Sequence, residues 1–257
     1  MSDLFSIAGK RALVTGGSRG IGLMIARGFV AAGAHVTISS RKAAVCEQVA
    51  AELTAAGPGT CDAIPADLST EAECARLAGE VAGRTDVLHV LVNNAGATWG
   101  APLAEHDTAS WARVLDVNVQ AVFHLTKSCR PLLDAAATDD DPARVINVGS
   151  IDGLRVPTLE TFSYSASKAA VHQLTRHLAL ALAPRITVNA IAPGPFESKM
   201  MAATLAAFGD EIAAGAPLRR IGRPDDMAGT AVFLASRAGS YLTGAVIPVD
   251  GGIATTR

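Results

Sequence analysis

The chain has few aromatic side chains: 2 Trp, 2 Tyr and 7 Phe make up 4% of its 257 residues, against 49% hydrophobic residues overall. A core of this composition is filled with Ala, Val, Leu and Ile rather than with rings. An excess of either charge is also lacking, since 22 Lys and Arg face 24 Asp and Glu for a net charge of −2. No basic block reaches the density that would hold a phosphate backbone or an anionic membrane surface, so neither nucleic acid nor membrane is an expected partner. The four cysteines, Cys46, Cys61, Cys74 and Cys129, show no CxxC or C-x-H spacing. Neither a zinc cage nor a disulfide framework is suggested, and buried thiols in a reducing compartment are the expectation. The histidines are scattered, and His172 and His177 stand five apart, off any shared helical face, so no metal site is expected. No apolar run approaches the length of a membrane span, and "MSDLFSIAGK" lacks the basic and apolar regions of a secretion signal. The expected location is the cytoplasm.

What the chain does have is alternation. Short β-branched runs, "ALVT" (12–15), "HVTIS" (35–39), "CDAIPA" (61–66), "HVLVN" (89–93), "RVINVGS" (144–150), "ITVNAIA" (186–192) and "AVIPVD" (245–250), alternate with segments of helical period such as "GIGLMIARGFVAAG". Strand–helix–strand repetition predicts an α/β fold: a doubly wound, seven-stranded parallel sheet of Rossmann type with helices on both faces. No repeat, low-complexity tract or linker divides the chain, so residues 1–257 are expected to form one domain. Residues 193–223 depart from the rhythm, inserting about thirty residues where a short loop is usual, and are expected to form a small helical substrate lid.

"ALVTGGSRGIGLMIARG" runs from a strand into a helix through a glycine-rich turn. Gly16, Gly20 and Gly22 permit positive φ and close backbone approach, and the helix starting near Gly20 aims free N–H groups at an anion. A pyrophosphate fits, and the first βα turn of a doubly wound sheet is where one binds. The second strand ends in Ser40 and Arg41, with no acid to hold a ribose 2′-hydroxyl. Arg41 and Arg19 suit a 2′-phosphate instead, so NADPH is expected over NADH.

The fifth strand is expected to end at Ser150, which lacks the G-x-S-x-G of a hydrolase elbow and reads as a hydrogen-bond donor. Tyr164 and Lys168 stand at i and i+4 on one helical face. A phenol titrates near 10, and an adjacent ammonium is expected to favour the phenolate and tune Tyr164 as a general acid/base.

"TGGSRGIG", "DLS" after the third strand, "NNAG" at 93–96, "VNV" around Asn118, Ser150, "YSASK", "APG" at 192–194 and the closing "VDGG" resemble, in order and over essentially the whole chain, the short-chain dehydrogenase/reductase family. The resemblance implies that Tyr164 gives a proton to the substrate oxygen and that Ser150 hydrogen-bonds it. It implies that Lys168 holds the nicotinamide ribose and that Asn118 holds a water in the proton relay. For the cofactor it implies contacts from Gly16, Ser18, Arg19, Gly20, Ile21, Gly22, Ser40 and Arg41, from Asp67 and Leu68 at adenine, and from Asn94, Ala95 and Gly96 along its middle. Pro193, Gly194, Phe196 and Ser198 are implied at the nicotinamide amide. Ser198 stands where the family usually has threonine, keeping the hydroxyl, and Ser150 to Tyr164 is one residue longer than the common spacing.

Within the family the chain is most similar to NADPH-dependent 3-oxoacyl reductases, including the type associated with rhamnolipid synthesis. This implies reduction of a ketone to a CH–OH group in a 3-oxoacyl thioester and a place in fatty acid metabolism. Phe196, Met200, Met201 and Phe208 are expected to give the lid an apolar side. Arg185 lies where carrier-protein docking is implied, but Asp139, Asp140 and Asp141 are expected to face and repel an acidic carrier, which keeps coenzyme A esters and free ketones in view. The alternatives are a reductase or dehydrogenase of a sugar acid, polyol or cyclic ketone and, remotely, a non-catalytic structural or regulatory protein of the same fold. The resemblance also implies a homotetramer or homodimer built on segments 108–135 and 162–183.

Overall fold

A computed structural model of the chain describes residues 4–198 and 201–256. Met200 therefore lies outside the described residues.

Seven strands form one parallel sheet in the order β3-β2-β1-β4-β5-β6-β7. They are β1 Arg11–Thr15, β2 His35–Ser39, β3 Thr60–Ala63, β4 Val90–Asn93, β5 Ala143–Val148, β6 Ile186–Pro193 and β7 Val246–Val249. The central strands β4, β5 and β6 are buried at every residue. A strand covered on both faces is buried along its whole length, and the polar residues it carries here, Asn93, Arg144, Asn147, Thr187 and Asn189, are buried with it. The order reverses between β1 and β4, so a crevice opens there at the carboxyl edge of the sheet.

Two apolar cores flank the sheet. One joins α1 Gly20–Ala31, α2 Ala43–Ala56 and α8 Pro224–Ala235 through Phe29, Leu53, Met227 and Leu234. The other joins α3 Glu71–Ala82, α5 Ala121–Ala136 and α6 Phe162–Leu182 through Leu77, Leu125, Leu133 and Leu178. The remaining helices are α4 Thr108–Leu115 and α7 Ala202–Gly215. Helices start where local chemistry stops competing with them. Thr70 accepts from the Glu73 N–H at the head of α3, and Asp107 and Ser110 form a capping box at α4.

The expected elements shift in three places. β3 ends at Ala63, because Pro65 cannot donate to a ladder. β5 ends at Val148, and Ser150 instead caps a single 3-10 turn, Ile151–Gly153, with its Oγ accepting from the Asp152 N–H at 3.1 Å. Segment 108–135 is not one regular helix: a π-helical turn, Asp116–Gln120, separates α4 from α5 and carries Asn118. Such turns recur at functional sites.

The amino edge of the sheet holds a charged cluster. Lys10 Nζ reaches Asp141 Oδ2 at 2.8 Å, and Arg144 Nη2 reaches Asp141 Oδ1 at 2.7 Å. Both cations also donate to the carbonyls that end α8, Lys10 to Ala235 at 3.2 Å and Arg144 to Ser236 at 3.1 Å. Asp141 therefore turns inward rather than facing an approaching carrier, while Asp139 and Asp140 are exposed. Arg185 is likewise engaged, its Nη2 donating to the Ala137 carbonyl at 2.8 Å behind α5. This loop precedes β5 and lies at the opposite edge from Ser150, so its acids do not confront what approaches the carboxyl edge. Of the three acids expected to repel a carrier, Asp141 is neutralised, and Asp139 and Asp140 stay exposed.

Candidate functional site

The glycine turn folds as a cradle at the β1/β4 crevice. Gly16 has φ +64° and Gly20 φ +54°. At Gly22 a Cβ would stand 2.4 Å from the Gly16 carbonyl oxygen and from Asn94 Nδ2, so only glycine lets the two turns close together. Thr15 binds the crevice: its Oγ1 donates to the Val92 carbonyl at 3.2 Å and accepts from the N–H groups of Asn94 and Ala95 at 2.9 and 3.0 Å. Asn94 Nδ2 donates back to the Thr15 carbonyl at 2.8 Å. No side chain caps the N-terminus of α1, and its first turn has no acid, so the N–H groups at Gly20, Ile21 and Gly22 face the crevice uncompensated. Ser18 and Ser40 share a 2.9 Å hydrogen bond, which sets the turn bearing Arg19 beside the strand end bearing Arg41. Both arginines are exposed and, among the described residues, neither has an ion-pair partner. A glycine cradle, a bare helix terminus and two free guanidinium groups fit a dinucleotide carrying a 2′-phosphate.

Asp67 is exposed, with Oδ1 accepting from the Ser69 N–H at 3.2 Å. Leu68 packs its side chain in the core with Cys74 and Leu77, which leaves its backbone to meet an adenine. Phe196 is buried as well. Its ring is buried against Gly222, and the Gly222 N–H donates to the Pro195 carbonyl at 2.9 Å. This closes the base of segment 193–223 around the ring. Gly194 donates to the Val249 carbonyl at 2.9 Å, directly after Pro193 ends β6. Ser198 approaches the cradle, its Cβ 3.2 Å from where a Gly20 Cβ would be, and its Oγ accepts from the Met201 N–H at 3.2 Å. Beneath α7 a cavity of about 550 Å³ is lined by Ser198, Ala202, Leu205, Ala206, Ala213 and Ile221, with Glu197 and Asp210 also on its wall. Phe208 is exposed at a kink in α7 and does not line it.

Ser150, Tyr164 and Lys168 meet at the same edge. Tyr164 is half-buried with the Ser150 hydroxyl beside its phenol. Lys168 Nζ donates to the Val148 carbonyl at 2.8 Å and lies 5.5 Å from the centre of the Tyr164 ring. The expectation that the ammonium lowers the phenol is not met. Burial pushes Tyr164 up to about 12, only partly opposed by the Ser150 hydroxyl, and the Asp152 carboxylate adds to the rise. Burial lowers Lys168 to about 8. The ammonium sits over the ring and spends a proton on a backbone carbonyl, so desolvation outweighs its field at the phenol oxygen.

Asn118 is buried in the π-helical turn with both amide protons committed. Nδ2 donates to the Ala97 carbonyl and to Ser167 Oγ, each at 2.9 Å, while Oδ1 accepts from the Ala97 N–H at 2.8 Å. Ser167 in turn donates to the Tyr164 carbonyl at 2.7 Å. The side chain thus ties the loop after β4 to the helix of Tyr164, and with both amide protons committed a relay water would be held by one of the residue's oxygens as acceptor. Sequence reasoning missed Ser167, Thr15, Asp152 and His172. His172, 3% exposed, packs its ring against Gly149 and Gly153, and burial takes it down to about 4. Only its place four residues after Lys168 hinted that it shares the reacting face. Among the described residues no group of acids, cysteines and histidines could hold a metal ion, and no helix is long and apolar enough to cross a membrane.

The family profile described as enoyl-(acyl carrier protein) reductase matches residues 16–254. The chain is 48% identical to a rhamnolipids biosynthesis 3-oxoacyl-[acyl-carrier-protein] reductase of Pseudomonas aeruginosa, over 98% of this chain and 99% of that one. A galactitol 2-dehydrogenase (L-tagatose-forming) of Cereibacter sphaeroides is 38% identical over 97% and 96% of the two chains. The solved Pseudomonas aeruginosa RhlG/NADP active-site complex superimposes with a TM-score of 0.94 at 46% identity, covering 99% of this chain and 100% of that one. With its parallel sheet, its cradle at the β1/β4 crevice and its Ser150, Tyr164 and Lys168 at one edge, this chain belongs to the short-chain dehydrogenase/reductase family.

Proposed function

We propose that this chain reduces the ketone of a 3-oxoacyl thioester to the secondary alcohol, with NADPH as the reductant. The observation that carries the reading is the convergence of Ser150, Tyr164 and Lys168 at the sheet edge that also holds the glycine cradle. The near-full-length relative named as a 3-oxoacyl reductase supports the substrate class.

The nicotinamide, when bound, supplies the hydride to the carbonyl carbon. Gly16 to Gly22 and the head of α1 would hold the cofactor's pyrophosphate, and Asn94 to Gly96 would lie along its middle. Arg19 and Arg41, beside Ser18 and Ser40, take the 2′-phosphate that distinguishes NADPH. Ser150 and Tyr164 place two hydroxyls where negative charge develops on the substrate oxygen. Tyr164 holds its proton across neutral pH, with burial keeping the phenol near 12, and releases it to that oxygen. Lys168 is predominantly an ammonium at neutral pH and offsets the charge left on the phenolate. Asn118 positions Tyr164 through Ser167.

The same reading takes residues 1–257 as one catalytic domain, with 193–223 as a lid over the cradle and the cavity beneath α7. It extends to a cytoplasmic enzyme of fatty acid metabolism that assembles as a homotetramer or homodimer. Exposed Phe123 on α5 and Leu180 on α6 support helix-to-helix association.

The test follows NADPH and NADH absorbance against 3-oxoacyl thioesters of coenzyme A and of acyl carrier protein, keto sugars and cyclic ketones. Turnover of thioesters with NADPH is expected. Turnover confined to keto sugars overturns the substrate class, and equal use of NADH overturns the role of Arg19 and Arg41.

A further inference from the structure

Two loops border the reacting residues. The first, residues 97–106, leaves β4 just after Asn94 to Gly96 and is held at Ala97 by Asn118. The second, residues 151–161, runs from the turn capped by Ser150 to the head of α6. One side chain joins them. His106 Nε2 lies 3.0 Å from the Ala101 carbonyl oxygen and 3.3 Å from that of Glu160. Both partners are acceptors, so Nε2 is the nitrogen that donates across the two loops, while Nδ1 is buried with no partner.

The junction is reinforced on each side. Ala101 N–H donates to the same Glu160 carbonyl at 3.3 Å. The Phe162 ring stands edge-on to the imidazole, with centroids 5.1 Å apart and planes at 83°. Phe162 is also the first residue of α6, two before Tyr164.

The clasped loops share a second property. Leu103 on the first, Leu154, Val156 and Leu159 on the second, and Phe162 at its end are all exposed, Val156 to 88%. Single exposed apolar side chains need no explanation, but here five lie on two joined loops, the second of which starts beside Ser150 and ends beside Tyr164. A ligand whose ketone reaches Ser150 and Tyr164 carries its tail out past them.

We propose that His106 is a positioning residue that clasps the two loops into an apolar lip, and that this lip seats the acyl chain of the substrate. The proposal rests on the thioester reading above. The clasp orders the lip before binding, so the substrate does not bear the entropy of ordering it. Each methylene resting on the lip strengthens binding by about twofold if half of its surface leaves water.

The test measures KM and kcat with NADPH for a series of 3-oxoacyl-CoA esters of increasing chain length. In the wild-type protein KM is expected to fall as the chain lengthens. His106→Ala is expected to raise KM about three- to tenfold for the longest ester, as befits one lost hydrogen bond and a loosened lip, and to leave the shortest ester, kcat and the KM for NADPH within about twofold. His106→Gln places an amide N–H near the position of the ring Nε2 and is expected to recover most of the loss. The pair Val156→Ser and Leu159→Ser, confined to exposed side chains, is expected to flatten the dependence on chain length. It also decides the matter if His106→Ala does not fold.

Thioester turnover with an unchanged chain-length dependence in the serine pair overturns the lip while leaving the proposed function standing. So does a rise in KM that is equal for short and long esters in His106→Ala, or a Gln variant as impaired as the Ala variant. A change in oligomeric state without a change in chain-length dependence would assign the apolar residues to a second copy of the chain. Absence of thioester turnover in the wild-type protein removes both readings together.

Discussion

The two ends of β5 put buried polar groups to opposite uses. At its start Arg144, 1% exposed, and Lys10 share the Asp141 carboxylate and spend further protons on the carbonyls ending α8. The cations sit where the helix dipole is negative and close to an acid, which offsets part of the cost of burying them, although burial still lowers both and Arg144 Nε and Nη1 have no partner. Past its other end Ser150, Tyr164, Lys168 and His172 have no opposing charge among their hydrogen-bond partners, and burial displaces their proton affinities: Tyr164 to about 12, Lys168 to about 8 and His172 to about 4. Burial lowers Lys10 and Arg144 as well, so what separates the two ends is that these cations share a carboxylate, whereas the titratable groups past the other end lack such a partner at a crevice.

The largest expected effect separates the two ends by function. Tyr164→Phe removes the proton donor and is expected to lower kcat by about 10²- to 10⁴-fold, with thermal stability nearly unchanged. Asp141→Ala does the converse. It strands Arg144 and Lys10 and is expected to cost about 3 kcal/mol in denaturant unfolding, with kcat per folded molecule unchanged. A stability loss without a rate loss in Tyr164→Phe would collapse the distinction.

The next effect comes from pH. His172 binds its proton at about 4 in the folded chain against an ordinary 6.5. The unfolded chain therefore binds more protons between those values, and stability is lost as pH falls from about 6.5 to about 4, by on the order of 2–3 kcal/mol from this group. His172→Leu is expected to lose that much less over the same window by urea denaturation. Equal acid sensitivity in the two proteins would mean that His172 is solvated or paired. Lys168 acts at the other end of the scale: lowered to about 8 from 10.5, it adds stability as pH rises through that interval.

Much of the cofactor half could be read in advance, because its signals are local. Gly16, Gly20 and Gly22 follow one strand and open one helix, and Tyr164 and Lys168 are one turn apart, so spacing alone sets them in place. What spacing cannot reach is what the tertiary fold decides. Lys10 and Asp141 are separated by 131 positions, and no pattern within either segment pairs them. The clasp of His106 on Glu160 spans 54 positions, and the π-helical turn at Asn118 lies inside what reads as continuous amphipathic period. Leu68 and Phe196 occupy motif positions whose side chains turn into cores, a choice that a motif in one dimension does not encode. The raised Tyr164 is the clearest case. The adjacent ammonium is visible in "YSASK", whereas the desolvation that overrides it exists only in the folded chain.

The smallest expected effect tests whether the carboxyl end is organised for chemistry beyond the residues that touch substrate. Ser167 is fully buried and passes a hydrogen bond from Asn118 to the Tyr164 carbonyl. Ser167→Ala leaves an Asn118 amide proton buried without an acceptor, which is expected to cost about 1–2 kcal/mol of stability. At the amino end a loss of that size would leave turnover untouched. Here Asn118 also holds Ala97 through both its N–H and its carbonyl, so a relaxed amide shifts the loop after β4 relative to Tyr164. A three- to tenfold fall in kcat is therefore expected beside the stability loss, with KM for NADPH little changed because the cradle is built by Thr15 and Asn94 rather than by Ser167. Ser167→Thr, which keeps the hydroxyl, is expected to recover kcat more fully than stability, since its extra methyl must be packed into a filled interior. If Ser167→Ala loses stability and keeps its full kcat, the hydrogen-bond chain belongs with Lys10, Asp141 and Arg144 as scaffold, and the division between the two ends of β5 narrows to the residues that meet the substrate.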